Sequence, residues 1–188
     1  MRRIARTLRV TPMAIYHHYD DRAALLQTVA DAEFAELAAL ADRLTGSQSK
    51  PLPLVKCVDA YLDYAFRRPR IFDYVFNRPR ADARRFPRDF RARRSPTLNP
   101  VADRIAAAMR SGELRRSDVW EVTLQLWAHA HGYVTLYRAG RFHLGERRFR
   151  ALYHRAVRRL LAGLSSPGPR GRRGQRRFER GSHFVRSA

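Results

Sequence analysis

Val10-Thr11-Pro12-Met13-Ala14-Ile15-Tyr16-His17-His18-Tyr19 reads as a short helix with its entry signals written out. Thr11 is placed to cap the N-terminus by accepting a backbone N–H bond. Pro12 falls at the first helical position, where its missing donor costs nothing and its fixed φ suits a helix. Val10, just outside, and Ile15, four positions in, have the spacing of a hydrophobic staple. Ile15 and Tyr19 lie one turn apart on an inward face. Met13, Ala14, Tyr16, His17 and His18 then point elsewhere. So short a helix, with an outward face of small, aromatic and imidazole groups, is of a kind that fits a DNA groove.

The flanks extend this reading. Upstream, Arg2-Arg3-Ile4-Ala5-Arg6-Thr7-Leu8 sets Ile4 and Leu8 at i, i+4, with Ala5 small enough for close helix approach, and Arg9-Val10 makes a tight link. Helix, short turn, second helix is the helix-turn-helix arrangement, whose second helix enters the major groove. Downstream, Asp20-Asp21 stop the helix and Asp21 is a suitable N-cap for another from Arg22.

Composition bounds the rest. The chain has 188 residues, 45% of them hydrophobic, enough for one large or two small domains with a real core. Its net charge of +21 favours polyanions. Nearly all the cations are Arg, however, with Lys only at Lys50 and Lys56, a bias that a GC-rich genome produces by itself, so location says more than the total. The single cysteine, Cys57, excludes an internal disulfide and a Cys-based zinc site and fits a buried thiol. No stretch reaches the roughly 20 apolar residues of a membrane span, and the start has no hydrophobic signal region. A cytoplasmic, nucleoid-associated location with no membrane partner is expected.

The remainder is helix after helix. Residues 22–44 place Leu26, Ala30, Glu33, Leu37, Leu40 and Leu44 at helical steps, predicting a long connecting helix. Residues 51–68 repeat the pattern. Pro69 interrupts it before a short aromatic helix over 70–77. Residues 78–95 crowd Arg78, Arg80, Arg84, Arg85, Arg88, Arg91, Arg93 and Arg94 around prolines and read as a mobile basic loop. Asn99-Pro100 opens a helix that runs through Met109 and ends at Gly112. Asp118 with Glu121 resembles a capping box for a helix to about Arg138. That helix is apolar on nearly every face, which predicts burial on all sides. Residues 146–164 show one clean apolar stripe, and 165–188 lack a core pattern and read as a disordered basic tail. The expected architecture is all-α: a head with its connecting helix over 1–44, a helical bundle over 51–164, and the tail.

Ile4-Ala5, Val10-Thr11, Ile15-Tyr16-His17-His18-Tyr19 and Arg22-Ala23-Ala24-Leu25-Leu26, in register without a gap, resemble the DNA-binding head of tetracycline-repressor-like (TetR-type) transcriptional regulators. The family string runs roughly I-A-x-x-x-G-V-S-x-x-x-L-Y-x-H-F-x-x-K-x-x-L-L. Two departures stand out. Arg9 occupies the turn position where the family has Gly, and a non-Gly residue in a left-handed turn costs about 1–2 kcal/mol. The family also has a helix before the two read here, so the chain is expected to be N-terminally truncated. More loosely, Arg67-Arg68-Pro69-Arg70-Ile71-Phe72, Ser111-Gly112-Glu113-Leu114-Arg115 and Trp127-Ala128-His129-Ala130-His131-Gly132 resemble the family's second half. The last looks like the W-x-x-x-H-G of one C-terminal subclass.

The resemblance implies backbone contacts to DNA from Thr11, Tyr16, His17, His18 and Arg22. It implies base contacts from Pro12, Met13 and Ala14, with Arg2 reading from the preceding helix. Arg2 can bond guanine bidentately, whereas Met13 and Ala14 offer only apolar contact to thymine methyls, so phosphate contacts should set affinity. It also implies a homodimer on a palindromic operator and a small-molecule effector. Tyr61, Tyr64, Phe72, Phe76, Trp127 and His131, with Tyr133 and Tyr137, either fill a core or line a pocket for an apolar or aromatic effector. Residues 117–138 and 146–164 carry more apolar surface than one small domain buries, and a two-fold dimer would cover it. His131-Gly132 reads as close helix packing. His129 and His131 project about 200° apart on a helix and cannot share a metal ion. No catalytic carboxylate pair, nucleophile elbow, phosphate loop or cofactor motif stands out, so no enzyme and no cofactor are expected. Three functions fit: a ligand-responsive repressor of TetR type, a ligand-binding or interaction helical dimer that has lost DNA binding through truncation, and a nonspecific basic binder using 78–95 and the tail.

Overall fold

The computed structural model describes residues 1–45, 53–80 and 82–166. Nine α-helices carry these residues: α1 (Arg2–Leu8), α2 (Pro12–His18), α3 (Arg22–Thr45), α4 (Pro53–Arg67), α5 (Pro69–Phe72), α6 (Arg88–Arg91), α7 (Asn99–Arg110), α8 (Val119–Arg138) and α9 (Glu146–Leu164), with a π-helical turn at Asp73–Asn77. Among the described residues there is no strand, only an isolated bridge between Leu114 and Ser165. The fold is all-α. The chain divides into two compact units, Met1–Val101 and Ala102–Ala188. The segment 46–52 and, of the expected tail, residues 167–188 lie outside the described residues.

The first unit opens with α1 and α2, closed by a turn whose bonds can be counted. The Val10 N–H donates to the Ala5 carbonyl at 3.0 Å and the Arg9 N–H to the Arg6 carbonyl at 3.2 Å. This is the Schellman pattern, and it puts Arg9 in the left-handed region at φ 56°. Thr11 accepts from the Ala14 N–H at 3.1 Å and Pro12 takes the first helical position, as the sequence predicts. Asp21 caps α3 through the Ala24 N–H at 2.7 Å. Ala5 and Ile15 are buried, but Ile4, Leu8 and Val10 are exposed, so the inward packing expected of Ile4 and Leu8 and the cover expected on Val10 do not form. Ala5 and Ile15 are therefore the buried residues of α1 and α2.

α3 spans about 36 Å at 1.5 Å per residue, and it buries chiefly Ala30, Glu33 and Ala41. It packs on α4, whose Leu54, Val58, Leu62 and Ala65 recur by fours and threes on its buried face. Arg68 precedes Pro69, which disfavours helical dihedrals there. The backbone leaves the helix at φ −127°, ψ 56°, and α5 starts on a new line. α5 runs directly into the π-helical turn, a finer structure than the single aromatic helix expected over 70–77.

The basic segment 78–95 is built around two carboxylates instead of forming a featureless loop. Asp82 accepts from Arg80 at 2.6 and 2.9 Å. The buried Asp89 accepts from the Arg85 N–H at 2.8 Å and the Arg88 Nε at 3.1 Å, and Phe90 is buried in the single turn of α6. Arginine spacing hides this order because the structure comes from the two acids between the arginines.

In the second unit, α8 and α9 pack together. Asp118 accepts from the Trp120 and Glu121 N–H groups at 2.8 and 3.0 Å, a cap as the sequence predicts. α8 is buried along Val122, Leu126, Ala130 and Val134, but Leu136 is 48% exposed, so within one chain it is not enclosed on all sides. A Cβ built on Gly132 meets nothing within 4 Å, which removes the close packing read for His131-Gly132. α9 buries Phe149, Tyr153, Ala156, Val157 and Leu161 as one stripe. The strand-like segment after α7 pairs with the end of α9: the Arg115 N–H donates to the Leu164 carbonyl at 2.9 Å.

Candidate nucleic-acid interface and aromatic cluster

Every residue named for DNA contact, Arg2, Thr11, Pro12, Met13, Ala14, Tyr16, His17, His18 and Arg22, is exposed. Met13 reaches 75% exposure and Tyr16 47%, large for apolar and aromatic side chains on a monomer surface. Ile15 turns inward at 7% exposure and fixes the roll of α2, so the face opposite it is the presented one. His17 and His18 sit edge to face at 5.5 Å in the last turn. Arg22 opens α3 beside them in sequence, adding a fixed positive charge. Chemically, this surface offers apolar contact to base methyls, and imidazole, phenol and guanidinium groups to phosphates.

Four of the six residues proposed to line a pocket come together in the first unit. The Phe72 and Phe76 rings lie 5.2 Å apart because the π-helical turn returns Phe76 to the same side. Tyr61 meets Phe72 at 5.5 Å and Phe76 at 5.3 Å, and Tyr64 meets them at 6.5 and 6.3 Å. Trp127 and His131 belong to the second unit, one turn apart on α8 with ring centroids 5.9 Å apart. Burial pushes the His131 imidazole below its ordinary value, so it is neutral at neutral pH. Cys57 is half-buried rather than in the core, and burial pushes its thiol up to about 11.

Residues outside the expected pocket set complete the cluster. Phe34 of α3 meets Phe76 edge to face at 5.9 Å. Beside it, the Glu33 carboxylate is buried and pairs through Oε1 with Arg68, while Arg68 also reaches Glu36 at 3.4 Å. Glu33 Oε2 and the Tyr64 hydroxyl are both buried. Burial first, and then a side-chain hydrogen bond with Glu33 and the charge of its carboxylate, push the Tyr64 hydroxyl well above its ordinary range. On the other flank, the Arg80 guanidinium lies 5.7 Å from the Phe34 centroid and 5.5 Å from that of Tyr74, and donates to Gln27 at 2.9 Å. The signal for Glu33 was present in the sequence: it is the one acid standing in the apolar series of α3. Arg80 gave no signal, being one arginine among many.

The sequence model of a family described as "Tetracyclin repressor-like, C-terminal domain" matches residues 54–160, more than half of the chain. The chain belongs to the tetracycline-repressor-like family. This TetR-like chain is also similar to a solved structure described as that of a protein with unknown function from Rhodococcus sp. RHA1. The TM-score is 0.71 at 20% identity, over 88% of this chain and 84% of that one, a likeness of fold. No curated protein matches it. The TetR-like match includes Tyr61, Tyr64, Phe72, Phe76, Trp127 and His131, and begins after α1–α3. Among the described residues no helix is long and apolar enough to cross a membrane, and no group of three or more His, Cys, Asp or Glu is placed to hold a metal ion.

Proposed function

We propose that this TetR-like chain is a ligand-responsive, sequence-specific DNA-binding repressor, a homodimer that sets two copies of α2 on a palindromic operator in the cytoplasm. The observation that carries the reading is the outward face of α2: Ile15 anchors the helix while Thr11, Pro12, Met13, Ala14, Tyr16, His17 and His18 are all exposed. Arg2 reads a base from α1, Arg22 meets phosphate, and the charge of +21 supplies the sequence-independent attraction. In this reading a head with its connecting helix over 1–44 reads the DNA, and residues 51–164 bind the ligand and dimerise. An apolar or aromatic effector, held by the Tyr61–Phe76 cluster of the first unit or beside Trp127 and His131 of the second, releases the operator by binding better to the conformer whose heads miss the half-site spacing.

A gel shift on the promoter DNA adjoining the gene tests this. The full chain should give a sequence-preferring complex. Tyr16→Ala and Arg22→Ala should weaken binding to all sequences alike, Arg22→Ala flattening the salt slope by about one unit. Absence of any sequence preference overturns the reading in favour of a helical dimer without a DNA role.

A further inference from the structure

We propose that the second unit carries a site for a small organic anion, a carboxylate on an apolar chain, in the cavity between the α7–α8 link and the last turn of α9, with Arg115 and Arg116 meeting the carboxylate. None of the lining residues belongs to the Tyr61–Phe76 cluster, and neither Trp127 nor His131 lines it, so the site stands apart from the effector readings above.

The cavity has a volume of about 260 Å³ and lies within the second unit. An apolar cavity of about 150 Å³ takes a benzene ring, so this one has room for about ten heavy atoms. Its floor is apolar: Met109 from the end of α7, Leu114 from the link, Val122 from the first turn of α8 and Leu164 from the end of α9. Met109, Leu114 and Val122 are buried and Leu164 is half-buried. The other lining residues, Arg115, Arg116 and Ser117, are exposed and stand at the rim. An apolar floor under a few polar groups at the mouth suits a ligand with one charged end.

The local chemistry sets the sign of that charge. None of the lining residues is an acid. The two acids nearest in sequence are engaged: Glu113 lies 3.5 Å from Arg104, and Asp118 caps α8 by accepting from the Trp120 and Glu121 N–H groups. The carbonyls at the end of α9 would draw a cation, but Arg115 already answers them. Its side chain donates to the Gly163 carbonyl, and its backbone N–H donates to the Leu164 carbonyl at 2.9 Å. One guanidinium donor is thus spent on holding Arg115 at the rim. Its remaining donors, those of Arg116 and the Ser117 hydroxyl are left for a carboxylate, and such charge-assisted bonds are the strong ones. The net charge of +21 draws organic anions to much of the surface. Here the charge is joined to an apolar floor, so the length of the ligand counts as well as its sign. A ligand in this cavity also bridges the joint that the Arg115–Leu164 bond closes, and so stabilises the second unit.

The test titrates the full chain, without DNA, with octanoate, 1-octanol, octylamine and butyrate at pH 7.5, followed by methyl NMR shifts. Octanoate should move the methyl signals of Met109, Leu114, Val122 and Leu164 and bind about tenfold or more tighter than octanol, with octylamine weakest. Butyrate has the same charge on a shorter chain and should bind about tenfold or more weaker than octanoate. Arg116→Gln should bring octanoate toward the level of octanol and leave octanol unchanged. Arg147→Gln removes the same charge at an exposed residue of α9 outside the cavity and should change neither. Ser117→Trp fills the mouth and should abolish the binding of both. Octanoate should also raise the Tm of the parent and not that of Ser117→Trp. Octanoate no better than octanol, butyrate as good as octanoate, or shifts confined to methyl groups outside the cavity would each overturn the proposal. So would an equal loss in Arg116→Gln and Arg147→Gln, which is the mark of an anion held by net charge alone.

Discussion

Three helix ends in this protein close with the same pair of bonds, and they differ in the residue that bears the left-handed conformation. After α8, Gly140 takes φ 69° while the Arg141 N–H reaches the Leu136 carbonyl at 2.9 Å. After α1 and α6 the same pattern places Arg9 and Arg93 at φ 56°. Glycine adopts this region without a Cβ clash, whereas an L side chain is strained there. The departure from the family's glycine was visible in the sequence as a bare Arg9, and the structure shows the turn kept nonetheless, with its backbone bonds intact. Arg9→Gly and Arg93→Gly should therefore each stabilise the protein by about 1 kcal/mol, read as a higher denaturant midpoint with an unchanged m-value. Arg9→Ala should gain nothing, because the Cβ remains. The caps at Thr11, Asp21 and Asp118 were legible for a related reason: a cap is a local event, decided by one side chain and the next three backbone donors.

Elements were legible where one face repeats and illegible where order comes from a single distant partner. The buried stripes of α4 and α9 follow their periodicity, whereas the basic segment after the π-helical turn is organised by Asp82 and Asp89, which no spacing rule marks out. Its tie to α3 runs through Arg80, whose side chain is 7% exposed, packed on Phe34 and Tyr74, and bonded to Asp82 and Gln27. Gln27 in turn donates to Asp82 and to Asp31, each at 3.0 Å. Arg80→Ala should cost about 2 kcal/mol, since it strips the rings and leaves Asp82 and Gln27 short of donors. Arg80→Lys should recover only part, because an ammonium cannot lie flat between two rings and bond a carboxylate with its fork at once. The acid dependence has a definite sign. Bonding from Arg80, and then from Gln27, lowers the Asp82 pKa from 3.8 to about 2. Its contribution is therefore full above about pH 3.8 and is lost as pH falls toward 2. The side chain is a third exposed, so screening reduces the effect to about 1 kcal/mol. Asp82→Asn should flatten the unfolding midpoint across that window relative to the parent, and leave a difference above pH 5 that no longer changes with pH.

At the scale of the whole molecule, the family and the all-α class could be read from motif and period, but how many chains make the working unit rests on a surface. α8 was expected to be enclosed because nearly every face is apolar; in one chain Val122, Thr123, Leu126, Ala130 and Val134 are covered and Leu136 is not. A different line, Ala128, Gly132 and Leu136, steps by four along the helix, with Ala128 and Leu136 exposed and open space over the Gly132 Cβ position. Small residues flanking an exposed leucine let a second helix approach closely, and covering a helix that is apolar on most faces is the stabilisation a second copy supplies. A symmetric contact would place this line against itself, so one substitution acts twice. Leu136→Glu introduces two like charges at such a contact and no buried change within one chain. It should convert a dimer to a monomer in sedimentation velocity at micromolar concentration while leaving the helical circular dichroism signal intact. The parent's Tm should rise with protein concentration and that of the variant should not, because only the parent couples folding to association. Operator affinity should fall with it, since each released monomer retains one reading head and loses the second half-site. A variant that stays dimeric would place the two-fold contact away from Leu136 and leave the exposed line on α8 without its partner.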